Sequence, residues 1–442
     1  MLFTMAAAVL GGTFSACVFS LLPGLHIYNI LGLIVIFLHS LQGSGVSAMP
    51  EVYIPFMIGL VTGWSVLNTI PSVLLGAPDE SAVFTVLPGQ KYLMTGRGYE
   101  GTMMIGAGSL AGIFLVVFIM GPLAPEFLPV AHYVLTPHIH WILWVVIAFI
   151  LITEWPKGGN WGPAGWRKFF DAWSTLGAGL LTFFLSGLLG FIILYRPVIA
   201  IDNAFQNIMP AFVGLFAVPW CLLNVLSGTE VPKQYVRDTL NINGDLLLRS
   251  GVAGGIGGGF AAFFPVITGG IGGLLAGHAT AQRDERVFMM SQGVSKVVYY
   301  TGALLLFFMP GLFLTRGGGA LIIKGLYTPC TQGDYYLALG SIALSGAVSF
   351  MLLSPLTRWT LNLMGRIDYR HISGIALGII VLLVVVVTGW PGFFVMVVSA
   401  GIGLIPVLFG SRRLNCLGVL LLPIACNMSG IGESVAAFLG LI

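Results

Sequence analysis

Charged residues are so sparse along this chain that the gaps between them form its map. Met1 to Pro50 carries no Asp, Glu, Lys or Arg. Further charge-free runs follow at 52–78, 101–125, 127–153, 172–195, 203–229, 250–282, 297–315, 335–357, 371–411 and 414–432. A helix needs about 20 apolar residues to cross a bilayer, so most of these runs suffice for one crossing. The first run and 371–411 are long enough for more. The latter breaks at Gly389-Trp390-Pro391-Gly392, and the first at Leu22-Pro23-Gly24 and Gly43-Ser44-Gly45. The pattern predicts an all-α polytopic membrane protein of roughly ten to thirteen membrane segments, not all of them crossing fully.

Composition agrees. Hydrophobic residues are 57% and charged residues 8%, against about a quarter charged in soluble proteins, and the mean hydropathy is +0.97. A net charge of +3 is too small for a nucleic-acid footprint. Five cysteines without a C-x-x-C pair give neither a disulfide framework nor a zinc site. The N-terminus lacks the basic start of a cleavable signal and reads as retained membrane helix. The polar connections 154–171, 230–249 and 358–370 are the most charged, with three basic residues each, which the positive-inside rule assigns to the cytoplasm.

Sixty-one glycines are about twice the usual usage. Segment 251–277 holds eleven of them around Pro265. A helix so composed is costly to keep regular in lipid, so its freed backbone groups are expected to face protein or a water-filled cavity. The stretch 11–24 resembles 253–266: a glycine-rich approach, two bulky apolar residues, then Pro23 or Pro265. Downstream, Asp79-Glu80 before Phe84 and Gly89 resembles Asp284-Glu285 before Phe288 and Gly293. This predicts two related halves, 1–229 and 250–442, joined by the polar connector 230–249, each half with a broken or re-entrant Pro/Gly hairpin. Paired interrupted segments of this kind mark the binding sites of secondary transporters.

Candidate chemistry gathers at those breaks. Pro71 and Pro78 prevent one continuous helix, and Asn68, Thr69 and Ser72 set hydrogen-bonding groups there. Asp79 and Glu80, with Asp284 and Glu285 in the second copy, are candidates to bind Na⁺ or carry a proton. His26 and Asn29 follow Pro23-Gly24 near a helix start that favours an anion. Thr268, Gly269 and Gly270 form a second candidate anion turn, and His278 precedes the second acidic pair. His132, His138 and His140 sit beside Trp141 and Trp144 and read as an interfacial belt rather than a metal site. No G-x-S-x-G, H-E-x-x-H or Walker loop occurs, so neither an enzyme nor an ATP-driven pump is indicated.

The stretches Leu21–Asn29, Ile70–Glu80, Val86–Gly89 and Gly96–Glu100 resemble the large permease family of the tripartite tricarboxylate transporters (TctA-like), particularly its archaeal branch. The resemblance spans nearly the whole chain. It implies a multi-pass permease of the cell membrane, driven by an ion gradient and moving small carboxylates. It also implies, in bacterial members, a small membrane subunit and an extracytoplasmic binding protein. Where those members carry Tyr-Gly-Gly-Ser, this chain has Gly63-Trp64-Ser65-Val66-Leu67-Asn68-Thr69. A weaker likeness links Pro265-Val266-Ile267-Thr268-Gly269-Gly270 to the Pro-Gly-x-Ser-Gly-Gly turn of polyprenyl-phosphate translocases, making an anionic-lipid flippase the alternative. The expectation is therefore a secondary transporter of a small organic anion, with no cofactor beyond Na⁺ or H⁺. Its expected partners are the solute, membrane lipid and, as open alternatives, the two subunits above or further copies of itself.

Overall fold

A computed structural model describes residues 1–22, 25–43, 49–77, 80–156, 165–199, 204–227, 231–237 and 239–442. Among them there is no strand. The helices in chain order are α1 (Leu2–Phe19), α2 (Ile27–Gly43), α3 (Pro50–Leu67), α4 (Thr69–Leu74), α5 (Val86–Met94), α6 (Gly98–Leu115), α7 (Gly121–Leu135), α8 (Ile139–Ile152), α9 (Trp166–Tyr195) and α10 (Ala204–Phe212). They continue as α11 (Val218–Ser227), α12 (Gly244–Phe263), α13 (Gly269–Ala279), α14 (Glu285–Phe308), α15 (Gly317–Lys324), α16 (Gln332–Met364), α17 (Tyr369–Leu408), α18 (Gly418–Met428) and α19 (Gly432–Phe438).

Eight stretches of described residues are long and apolar enough to cross a membrane, or up to nine if the bent pair α18–α19 is one span. One of them, Gly98–Ile152, runs for 55 residues. At 1.5 Å per residue that far exceeds the roughly 30 Å of one hydrocarbon core. Another, α17, is interrupted where the sequence places a turn, at Gly389 with φ 67°. The protein is a multi-pass, all-α membrane protein.

Packing divides the chain into two compact units, one of residues 1–130 and 224–376, the other of 131–223 and 377–442. The expected halves, 1–229 and 250–442, concern duplication rather than packing. Both helix–break–helix elements on which that proposal rests, α1–α2 and α12–α13, lie in the first unit.

In the first unit, glycine is what lets helices touch backbone to backbone. A Cβ on Gly12 would lie 2.0 Å from the Phe56 carbonyl oxygen, and one on Gly59 2.3 Å from that of Val9, so α1 and α3 meet with no side chain between them. Gly254 and Gly258 of α12 face the carbonyls of Ser291 and Ser295 on α14 in the same way, and Gly257 faces Gly272 of α13. On the opposite flank Gly108 of α6 abuts Met290, and Gly293 abuts Ile105. Most glycines of 251–277, costly to keep in a helix facing lipid, here face protein. Residues 244–263 form one helix, and their glycines are notches for close approach. The break is confined to the residues after Phe263, where Val266 takes φ 56°.

Helix α14 is consequently walled in by α12, α13, α6 and α3, and nearly every residue from Val287 to Phe308 is buried. Its 24 residues span about 36 Å. It is nonetheless absent from the apolar spans, because a helix shielded by protein can carry polar groups that lipid would exclude.

The second unit packs α18 against α8 and α9, again through glycine: a Cβ on Gly190 would sit 1.9 Å from the Val419 carbonyl oxygen. Buried Glu154 accepts from the Arg412 amide (2.9 Å) and the Asn415 side chain (3.2 Å), fixing the turn before α18.

Candidate substrate and ion site

Three interruptions of the first unit supply the site. The first lies between α1 and α2, where Pro23 and Gly24 fall outside the described residues. His26 closes this interruption, and its Nδ1 accepts the backbone N–H of Tyr28 at 3.1 Å. It thereby caps a helix start whose N–H groups have no intrahelical partner.

The second interruption follows α3. Pro71 removes one backbone donor, Ser72 Oγ donates to the Asn68 carbonyl at 2.7 Å, and Gly76 turns the chain with φ 58°. The Leu75 carbonyl accepts from Tyr369 and, at 3.4 Å, from Asn224. Asp79 lies outside the described residues. Glu80 is 5% exposed.

The third interruption joins α12 to α13. Thr268 Oγ1 donates to the Glu80 carbonyl at 3.3 Å, and a Cβ on Gly270 would lie 3.0 Å from that same oxygen. Ser295 Oγ of α14 donates to the Gly269 carbonyl at 2.7 Å.

The three interruptions meet at Glu80. Its backbone carbonyl is held by Thr268, while its carboxylate faces His26, with Nε2 3.0 Å from Oε2 and 3.1 Å from Oε1. The Tyr300 hydroxyl lies 3.2 Å from that nitrogen, and Tyr28 and Trp64 pack their rings about the imidazole. One turn before Tyr300 on α14, Lys296 is 2% exposed and donates from Nζ to Thr69 Oγ1 at 3.0 Å. A further turn back sits Gln292, 1% exposed, both of whose amide atoms lack a hydrogen-bond partner among the described residues. Residues four apart share a helix face. Helix α14 thus turns a polar column of Gln292, Lys296 and Tyr300 into the protein, past α4 and His26. Asn29 Nδ2 and Trp64 Nε1 are likewise buried and have no partner among the described residues.

Of the residues singled out from the sequence, His26, Thr69, Glu80, Thr268, Gly269 and Gly270 are gathered here, with Asn68, Ser72 and Asn29 in the adjoining turns. His278, Asp284 and Glu285 are not. His278 is exposed at the end of α13 with Nδ1 3.2 Å from the Leu274 carbonyl. Asp284 caps α14 through the Arg286 amide and pairs with the Arg286 guanidinium at 2.8 Å, which holds its carboxyl below the ordinary range. Glu285 is paired with Lys91 at 2.7 Å. The second acidic pair therefore frames the entry to α14.

Lys296, Tyr300, Gln292 and Trp64 were not singled out. The signal for the first was available: a lysine inside an otherwise apolar stretch, which a map of charge-free runs treats as a boundary rather than an embedded charge. Among the described residues no three His, Cys, Asp or Glu side chains come together as a metal-holding group. A separate hollow of about 570 Å³ is lined by apolar side chains, among them Val18, Leu21, Leu356, Trp359 and Ile375.

The family model described as the tripartite tricarboxylate transporter TctA family matches residues 2–418. An uncharacterized protein of Methanocaldococcus jannaschii is 26% identical over 423 residues, covering 93% of this chain and 96% of the relative. No solved structure matches.

Proposed function

This chain belongs to the tripartite tricarboxylate transporter TctA family, and from that premise we propose that it is an ion-gradient-driven permease for a small organic anion of the carboxylate class. The observation that carries the reading is the buried Lys296 amino group, held by Thr69 at the α3–α4 interruption. A cation inside a membrane body is costly and persists where anions must be received. The α1–α2 and α12–α13 interruptions flank it through Glu80, as expected of a transporter site.

In this reading a carboxylate enters between the interruptions. There it takes hydrogen bonds from Lys296 and Thr69 and from the unpartnered Gln292 amide, while Glu80 and His26 handle the coupling ion. The name of the family describes a three-part system. A small membrane subunit and an extracytoplasmic binding protein are thus the partners to look for. The anionic-lipid alternative has less support: the Thr268–Gly270 turn is buried against Glu80 and α14, and the apolar hollow has no cation in its lining.

The test is uptake into proteoliposomes of radiolabelled succinate, malate and citrate under imposed Na⁺ or pH gradients. Gradient-dependent accumulation of at least one supports the reading. Loading no faster than in protein-free vesicles, under every gradient, overturns it.

A further inference from the structure

Resting on the permease reading, we infer that the coupling ion is a proton and that Glu80 carries it, while His26 is a neutral, fixed hydrogen-bond donor rather than a second carrier. The Tyr28 backbone N–H points at Nδ1 from 3.1 Å, so Nδ1 must present its lone pair. The ring proton then sits on Nε2, the nitrogen that faces the carboxylate. Adding a proton to His26 would put N–H against N–H at Nδ1 and forfeit the cap of α2. The group free to take the proton is Glu80.

Sodium fits this arrangement poorly. It would want several oxygens converging from open directions. Both Glu80 oxygens instead face one imidazole nitrogen within about 0.1 Å of each other in distance, at 3.0 and 3.1 Å. A proton needs no such shell. It binds one carboxylate oxygen on the side from which solute arrives and leaves that oxygen for water on the other. One O–H bond forms and the same bond breaks, with no change elsewhere.

The surroundings make the proton matter to the solute. Among the described residues, the titratable groups shown against the pair are Tyr28 from α2 and Tyr300 from α14, with Tyr299 beside Tyr28. The interruption before α13 brings the Thr268 hydroxyl to the Glu80 carbonyl, α3 brings the Trp64 ring to His26, and Lys296 lies one turn before Tyr300 on α14. Protonating Glu80 neutralises the carboxylate beside the polar column in which Lys296 sits, so the column becomes a better host for an anion. Proton and solute therefore bind with positive coupling, which linkage requires to be mutual.

The experiment has two parts that keep the proposals apart. In vesicles loaded with a pH-sensitive dye and clamped electrically, adding succinate, malate or citrate outside the wild-type protein should acidify the lumen as the solute enters, with Na⁺ absent. In equilibrium binding to the purified protein, affinity for the transported acid should rise as pH falls, by up to about tenfold per unit for one proton per solute. Glu80→Gln, whose amide copies the protonated acid, should bind with a pH-independent affinity. Uptake that needs Na⁺ and moves no protons would overturn this inference and leave the permease reading standing. A sloped pH profile in a well-folded Glu80→Gln protein would overturn the assignment to Glu80. Absence of any carboxylate uptake would bring down both.

Discussion

Lys296 is a residue whose chemistry and location disagree unless it has a task. Taking a lysine side chain to 2% exposure carries a desolvation penalty for its charged form, and there it donates to the neutral Thr69 hydroxyl at 3.0 Å. Losing one partner of a desolvated, hydrogen-bonded charge pair costs roughly 2–5 kcal/mol. Lys296→Met is therefore expected to weaken carboxylate binding by at least about thirtyfold. It should also leave the melting temperature equal or higher, because a buried charge has been replaced by an apolar chain of like length. Isothermal titration and a thermal melt on the same preparation check both halves. Gln292 makes a second case: Gln292→Leu removes two unpartnered polar atoms and should stabilise the fold while reducing affinity. A Leu that lowers both would show that the amide serves structure alone.

Elements explain what the residues cannot. Helix α14 keeps its polar column because α12, α13, α6 and α3 cover it, and they can cover it because glycine lets backbones come together. Gly59→Leu should wedge α1 from α3 against the Val9 carbonyl. The expected cost is that of overpacking, about 1–3 kcal/mol or more, read as a lower melting temperature in detergent. Gly244→Ala, with nothing near its Cβ position, should change little. The N-cap of α14 is weaker but testable. Asp284→Ala should cost about 1 kcal/mol and Asp284→Asn a few tenths. Since Arg286 depresses the Asp284 carboxyl, its charge-dependent contribution is present above the unfolded pKa of an aspartate. It is lost as pH falls through the depressed folded value. The wild-type advantage over the Ala variant should therefore shrink in acid and hold at neutral pH.

The same elements show what could be read from the chain beforehand. Apolar block length reports directly on bilayer thickness, so the all-α membrane class and the breaks near Pro23, Pro71, Pro265 and Gly389 were legible. So was the cluster of His26, Thr69, Glu80 and Thr268, because a proline or glycine break frees backbone groups that polar neighbours must satisfy. Lys296 and Tyr300 were not, since their importance comes from which helix faces inward, a fact of packing between residues more than two hundred positions apart. Glycine density misled in one respect: in 251–263 it signals close approach between helices, and composition alone does not separate that from a broken backbone. Asp284-Glu285 echoes Asp79-Glu80 in sequence, yet its side chains are spent on Arg286 and Lys91 at the helix entry.

At the scale of the whole molecule, the first unit holds the interruptions and the buried column, and the second is built of long apolar helices around the Glu154 turn. Membership of the TctA family makes this a transport protein, and the proposed site uses residues of the first unit. Changes in the second unit, such as Glu154→Gln, are then expected to alter stability through the turn before α18 and leave carboxylate affinity within about twofold. A loss of affinity at unchanged stability would argue against that assignment. The most direct measurement of the central claim is carboxylate-dependent protection of the site itself. Cysteine placed at position 69, beside Lys296, in a protein whose native cysteines are replaced, should lose reactivity toward a small thiol reagent as the transported acid is added. The midpoint should match the binding constant. A Thr69→Cys protein that binds the acid normally while its thiol reacts at an unchanged rate would contradict the account.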